Sequence, residues 1–401
     1  MRAWVFAVLP VSLLLGASAS PPWFAERAGA VPDKAEPRVF SMGATAVDLD
    51  GDGDADLVIA TEYRPNRLLI NDGTGRFADE SASRLPQVKG DHEDMAVADF
   101  DRDGDLDLLF VAEDDQVLGY YLNDGSGRFS TATDRLPAAR GTANGVIATD
   151  VDGDGDADLV FANAGADFVW INDGSGRFSD DSARRMPPTT SVSQDVVAGD
   201  LDRDGDLDLV FGNEDGNAVL LNDGNGVFTD ATATWLPSEM PAQESRNVDL
   251  FDADRDGDLD LYVSNVRFGN AKADMQDRLL INRGGRFADE SAARLPLRDG
   301  NTVCATAVDL DGDRDLDLVL GTVGLPQTLR GSGFDSPYRV LLNTGRGRFV
   351  DATARVFPAS TVGHGFDVDV LDADRDGRLD LFLASRGGPD RLLFGQPGRR
   401  R

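Results

Sequence analysis

Seven short acidic clusters dominate the chemistry open to this chain. The first runs Asp48-Leu49-Asp50-Gly51-Asp52-Gly53-Asp54-Ala55-Asp56. With Asp48 as position 1, carboxylates stand at positions 1, 3, 5, 7 and 9, and glycine at position 6. The pattern returns as Asp99, Asp101, Asp103, Asp105 and Asp107, and as Asp150, Asp152, Asp154, Asp156 and Asp158. It returns again as Asp200, Asp202, Asp204, Asp206 and Asp208, and as Asp252, Asp254, Asp256, Asp258 and Asp260. The last two copies are Asp309, Asp311, Asp313, Asp315 and Asp317, and Asp372, Asp374, Asp376 and Asp380 with Arg378 at position 7. Aspartates two apart on a curled loop converge on one point. So many like charges would force some to protonate unless a cation joined them. A hard divalent ion with oxygen ligands removes the conflict. Positions 1, 3 and 5, the turn glycine and a backbone carbonyl at position 7 parallel the opening of an EF-hand loop. Its closing acid at position 12 is missing, since Ile59, Phe110, Phe161 and Phe211 stand there. The aspartate at position 9 must then close the site. Six or seven oxygens from a flexible loop suit Ca²⁺ better than Mg²⁺, so up to seven Ca²⁺ are expected. Arg314 replaces the position-6 glycine in the sixth loop. A left-handed backbone there costs roughly 1 kcal/mol, which should make this site the weakest. Arg378 matters less if only its carbonyl binds.

The wider composition agrees with this reading. Among 401 residues, 71 acids face 39 bases, for a net charge of −32. Such a field repels phosphate backbones and argues against nucleic acid as a partner. Much of the excess is ligand, and seven divalent ions would bring the charge to about −18. Apolar residues at 41% allow a sizeable core, and the lone cysteine, Cys304, excludes an internal disulfide and any multi-cysteine metal site.

The clusters sit in a repeat. Their first aspartates are spaced by 51, 51, 50, 52, 57 and 63 residues. A second motif follows, Leu69-Ile70-Asn71-Asp72-Gly73-Thr74-Gly75-Arg76-Phe77, and its phenylalanine recurs at Phe129, Phe178, Phe228, Phe287 and Phe349. A Leu-Pro pair often closes the unit, as at Leu85-Pro86 and Leu136-Pro137. Each unit reads as four short strands. Small-residue runs such as Ala44-Thr45-Ala46-Val47 precede the acidic loop, and Leu57-Val58-Ile59-Ala60 follows it. These apolar runs are too short for helices and are bounded by Gly and Asp turns. The third strand is Arg67-Leu68-Leu69-Ile70, and the fourth starts at Phe77. Four-stranded units at a period near 50 residues predict an all-β, seven-bladed β-propeller. The seventh unit stops after Leu392-Leu393-Phe394-Gly395. Its missing fourth strand is expected from Phe24-Ala25-Glu26-Arg27, which resembles Phe77-Ala78-Asp79-Glu80, so that the N-terminal strand closes the ring.

Residues 1–19 read as a secretory signal. Arg2 supplies the positive start, Ala3 to Gly16 the apolar stretch, and Ala17-Ser18-Ala19 a small-residue cleavage site. No later segment reaches the 18 apolar residues of a membrane span. The expected product is one exported propeller domain over 20–401, extracellular or periplasmic, without a membrane span and monomeric.

The acidic loops and the Asn-Asp-Gly-x-Gly-Arg-Phe turns resemble the FG-GAP/VCBS repeat family, whose blades also form the head of integrin α-subunits. The resemblance covers nearly the whole chain after residue 19. It implies a seven-bladed propeller that binds Ca²⁺ through Asp-x-Asp-x-Asp-Gly-x-x-Asp loops between first and second strands. For function it implies adhesion or matrix roles in some relatives and polysaccharide-degrading enzymes in others.

Where a partner would bind follows from the connections. First-to-second and third-to-fourth loops share one ring face, and loop length varies on the other. The second-to-third loop grows over 266–277 and again over 323–338, offering Arg267, Phe268, Arg330, Phe334 and Tyr338 as anchors for a protein or glycan. The same face holds the channel entrance, where His92-Glu93-Asp94, Gln194-Asp195, Arg246-Asn247 and Phe366-Asp367 line a polar pocket or hydrogen-bond the converging strands. Two histidines, three lysines and no Ser-His-Asp or zinc motif favour an adhesion-like binding module. A polysaccharide-active enzyme such as a lyase, or a pure scaffold, are the alternatives.

Overall fold

The computed structural model describes residues 21–35, 39–113, 117–138, 141–241, 243–268, 274–297, 301–324 and 336–398. The signal-like residues 1–19 lie outside them, as do Arg330 and Phe334. The fold is all-β and built from antiparallel sets of four strands. In the first unit these are Phe40–Val47, Asp56–Pro65, Arg67–Asn71 and Phe77–Asp79. Each pairs with the next in chain order. The same order recurs through the sets that end at Phe129–Thr131, Phe178–Asp180, Phe228–Asp230, Phe287–Asp289 and Phe349–Asp351. The last set holds Gly365–Leu371, Asp380–Ser385 and Arg391–Gly395 from the C-terminal end. Its fourth strand is Phe24–Glu26, paired Phe24 to Gly395 and Glu26 to Leu393.

Local sequence explains each strand. Second strands such as Asp208–Asn213 are buried at every residue, as a continuous apolar run requires when both faces are covered. Fourth strands bury only their phenylalanine. The core is distributed between neighbouring units. Val58 and Leu68 of the first pack with Leu108 and Phe110 of the second. Phe382 and Phe394 of the last pack with Leu57, Ile59 and Leu69 of the first.

Every first strand carries a bulge near its start, where its register against the second strand shifts, for example between His92 and Asp94 and between Gly365 and Asp367. The bulge divides labour between two adjacent residues. One reaches the next unit's first strand. Asp94 Oδ2 accepts from the Val146 N–H (2.9 Å), Asp195 Oδ2 from Val248 (2.9 Å), Asn247 Oδ1 from Ala305 (2.9 Å) and Asp367 Oδ2 from Ala44 (2.7 Å). The other faces the axis. In the first, third and sixth units the clamping position holds Gly43, Gly145 and Cys304 instead.

Candidate metal loops and channel mouth

In the acidic loops, positions 1, 3 and 9 come together. Carboxylate oxygens of Asp48, Asp50 and Asp56 lie within 4.8 Å of one another, as do those of Asp99, Asp101 and Asp107, of Asp150, Asp152 and Asp158, and of Asp200, Asp202 and Asp208. Position 1 curls the loop by accepting backbone N–H groups, with Gly51 and Gly53 donating to Asp48. Position 9 is fully buried and ties the loop to two strands. Asp56 accepts from the N–H groups of Leu49 (3.2 Å) and Asn71 (2.9 Å). Equivalent pairs occur at Asp107, Asp158, Asp208, Asp260, Asp317 and Asp380. Burial pushes these carboxyls up, to about 7 at Asp56, Asp107, Asp158, Asp260 and Asp317 and about 6 at Asp208 and Asp380, against those N–H bonds. Neighbouring aspartates add to the rise.

Position 3 is held from one side. Asp101 Oδ2 receives Arg135 (3.2 Å), Asp152 Oδ2 receives Arg185 (2.7 Å), Asp254 Oδ2 receives Arg294 (3.1 Å) and Asp374 Oδ2 receives Arg27 (2.5 Å). Arg84 stands 3.4 Å from Asp50. In each of these five aspartates the other oxygen, Oδ1, is buried without a hydrogen-bond partner. A buried carboxylate oxygen left unpaired beside two more carboxylates fits a hard cation. Four of these arginines stand just before the unit-closing Leu-Pro or Met-Pro pair, a recurrence visible in the sequence but not read there as functional. Trp235 and Val356 occupy the place in the fourth and sixth units.

Position 7, expected to offer its backbone carbonyl, uses its side chain in four of the loops at the joint with the loop before. Arg203, at position 4 of the fourth loop, pairs with Asp258 (2.6 Å), and Arg255 of the fifth pairs with Asp315 (2.6 Å). Arg102 pairs likewise with Asp156, and Arg375 with Asp54. Asp54 also fills the space under the Asn-Asp-Gly turn, where a Cβ on Gly73 would sit 2.5 Å from its Oδ2. Position 4 is glycine in the first, third and sixth loops, the same units whose bulge lacks a clamping side chain. Arg378 is not silent, since its guanidinium pairs with Asp376 at position 5 of its own loop. Position 5 is otherwise turned toward the position-7 N–H, as in Asp52 with Asp54 (2.8 Å).

Arg314 has φ 74°, the left-handed backbone anticipated for the sixth loop, and its N–H still donates to Asp309 (3.0 Å). Arg314→Gly is expected to stabilise the protein by about 1 kcal/mol, read as a higher denaturant midpoint. No gain would mean that the strain is relieved elsewhere.

The Asn-Asp-Gly turns lie beside these loops, and their asparagine latches one unit to the one before. Asn123 Nδ2 donates to Leu49 O (2.9 Å) and Asn343 Nδ2 to Ala253 O (2.9 Å), while Asn71 Nδ2 reaches Ala373 O (2.9 Å) across the two ends of the chain.

At the other end of the axis a cavity of ≈ 390 Å³ opens among the bulges. Phe268 reaches it from the second-to-third connection of the fifth unit, 37% exposed, with the Arg246 guanidinium 5.2 Å over its ring. Arg267 is exposed and its N–H donates to Asn301 Oδ1 (3.0 Å). Tyr338 is not a surface anchor. It is 1% exposed and its hydroxyl donates to Ala384 O (2.8 Å), filling the joint between the sixth and last units. His92 is buried between Asn66 and the Val117 carbonyl. Burial raises the Cys304 thiol well above its usual range.

The FG-GAP-like repeat matches residues 48–110, 109–161, 150–211 and 200–263. Cartilage acidic protein 1 of Homo sapiens is 27% identical over 149 residues, 37% of this chain and 22% of that protein. The chain therefore spans about a fifth of that relative's length. An Agrocybe aegerita lectin, described as recognising non-reducing terminal N-acetylglucosamine, superposes with TM-score 0.51 at 19% identity over 87% of this chain and 86% of its own. BBS1N, solved in complex with ARL6DN, superposes with TM-score 0.57 at 12% identity, covering 95% of this chain and 99% of that one. At such identities the likeness concerns the propeller fold. Among the described residues, no helix is long and apolar enough to cross a membrane.

Proposed function

The chain belongs to the FG-GAP-like repeat family, and on that premise we propose that it is an exported, calcium-loaded seven-bladed propeller whose N-terminal strand closes the ring and whose role is to bind a protein or glycan. The observation that carries the calcium reading is the buried, unpartnered Oδ1 at position 3 beside the carboxylates of positions 1 and 9. Those three aspartates would hold the ion in each loop, with the neighbouring arginine orienting position 3 through Oδ2. Calcium, when bound, supplies the positive charge that lets the carboxylates remain ionised together. The pairing of Phe24–Glu26 with Arg391–Gly395 supports closure. The binding role draws on the mouth cavity opposite the metal loops and on the lectin with the same fold. Export rests on the residue 1–19 pattern, and the mature chain is taken as a monomer.

The test is thermal unfolding with calcium and with chelator. Extracellular modules bind near 10⁻⁴–10⁻³ M, so at 1 mM Ca²⁺ each site adds about 0.4–1.4 kcal/mol and several sites add together. Millimolar Ca²⁺ should therefore raise the melting temperature by several degrees, and chelator should reverse it. An unchanged melting temperature in both would reject the assignment.

A further inference from the structure

We propose that the channel mouth holds a neutral saccharide ring, an inference that rests on the binding-module reading and names the ligand class and the place. The chain supplies its own internal control, because the same position occurs once in every unit. The loop-holding position 9 is aspartate in every unit, as at Asp56, Asp107 and Asp158, and the clamping position takes only small or short polar residues. The axis-facing bulge residue is different in every unit, and all of its copies line the cavity.

These residues divide by chemistry around the axis. Glu93, Asn144, Gln194 and Arg246 make one continuous polar arc from the second to the fifth unit. Val303, Phe366 and Met42 make an apolar arc from the sixth through the last to the first. A pyranose ring has the complementary shape, with an apolar C–H face and a rim of hydroxyls that both donate and accept. The volume of ≈ 390 Å³ falls within the roughly 300–1,000 Å³ usual for small-ligand sites.

The polar arc is already ordered. Asn144 Nδ2 donates to Ser193 O (2.8 Å), which leaves its amide oxygen for a ligand hydroxyl. Gln194 is held between Glu214 (3.0 Å) and Arg246 (2.6 Å), and Arg246 is anchored in turn by Glu214 and Glu244. Side chains fixed before binding lose little entropy on binding. Phe268 stands at the rim as a further apolar surface. The two arginines of the mouth are paired within the protein, Arg246 as above and Arg386 with Glu62 (2.7 Å). Glu93, Glu113, Asp94, Asp195 and Asp367 also line the mouth, and with both arginines already engaged its described lining offers a uronate or other anionic sugar no free cation.

The experiment presents immobilised neutral oligosaccharides of glucose, mannose, galactose and N-acetylglucosamine, beside oligogalacturonate, to the full-length protein in saturating Ca²⁺. Phe366→Ala and Gln194→Ala run in parallel, with melting temperatures measured for each. At least one neutral series should be retained and oligogalacturonate should not. Each variant should weaken retention at least tenfold without a change in melting temperature. If Phe366→Ala unfolds, Gln194→Ala decides. Undiminished retention by the folded variants would overturn the mouth assignment and leave the binding-module reading intact. Retention of oligogalacturonate alone, or of no saccharide, would overturn it as well. In that case the module reading falls too unless a protein partner is captured by the same preparation in a calcium-dependent way.

Discussion

Replacing Asp390 with asparagine is expected to cost about 3–5 kcal/mol of stability, the range for a buried charge pair that loses one partner. The carboxylate is 1% exposed and gathers four groups from three parts of the chain. Lys34 Nζ of the N-terminal segment lies 2.9 Å away and Arg67 Nη1 of the first unit 3.1 Å away. Ser41 Oγ donates at 3.0 Å and the Ser385 N–H of the last unit at 3.0 Å. Lys34 and Arg67 are themselves almost fully buried, at 5% and 7% side-chain exposure. Asparagine can still accept from Ser385, but it removes the charge facing Lys34 in a low dielectric and leaves Arg67 only the part-exposed Asp79 (3.1 Å). Burial already lowers the Lys34 pKa against the pull of Asp390, so the lysine would shed its proton rather than stay charged. Denaturant unfolding measures the effect, and a loss below about 1 kcal/mol would mean that the junction does not depend on this carboxylate.

The calcium-free protein should be several degrees more heat-stable near pH 5 than near pH 7.5. The groups responsible are carboxyls lining the axis, joined in the calcium-free protein by the position-9 aspartates. Burial raises Asp94, Asp249 and Asp367 to about 7 and Asp195 to about 6, against the backbone N–H groups they accept. The unfolded chain releases these protons near 3.9. Between the two values the folded state holds protons that the unfolded state has lost. Their contribution is therefore complete below about pH 4 and disappears as pH rises through 6–7. Salt-bridged acids such as Asp181, held low by Arg184, work in the opposite sense and set the acid limit. Asp367→Asn should flatten the slope, since an amide can still accept from Ala44 but does not titrate. A melting temperature that rises steadily from pH 5 to 7.5 would contradict this account.

The acidic loops and strand order were legible because each is a local pattern repeated at constant spacing. Asp48 to Asp56 declares its curl within nine residues, and the missing fourth strand of the last unit could be matched to Phe24 by likeness to Phe77. What stayed hidden depends on partners far away in the chain. Nothing near Asp390 points to Lys34 or Arg67, whose sequence separation exceeds three hundred residues. At Asp54, Asp156, Asp258 and Asp315 the position-7 side chain pairs with an arginine one unit earlier, a contact the local pattern does not announce. Tyr338 looked like a loop anchor by type, but the joint it fills forms only when the sixth and last units meet. The mouth was half legible. The bulge pairs of four units could be named, but not those at Met42, Asn144 and Val303, nor which of each adjacent pair would clamp and which would face the cavity.

The junctions between units do not share one kind of fastening. Four of them carry both a bulge clamp and a position-4 arginine, including the one between the last and first units. The sixth-to-last junction has neither, and Gly395 takes the place of the latching asparagine there. It is fastened by Tyr338, Phe24 and Phe357 in an apolar cluster and by Thr306 Oγ donating to Val368 O (2.7 Å). Solvent should therefore act unevenly around the circle. Added salt screens the arginine–aspartate contacts, while a salting-out anion such as sulfate tightens the apolar joint. The chain's own break lies inside the last unit, between Arg391–Gly395 and Phe24–Glu26, and the hinge most ready to give in the cold, when apolar attraction fades, is that same unit's joint with the sixth.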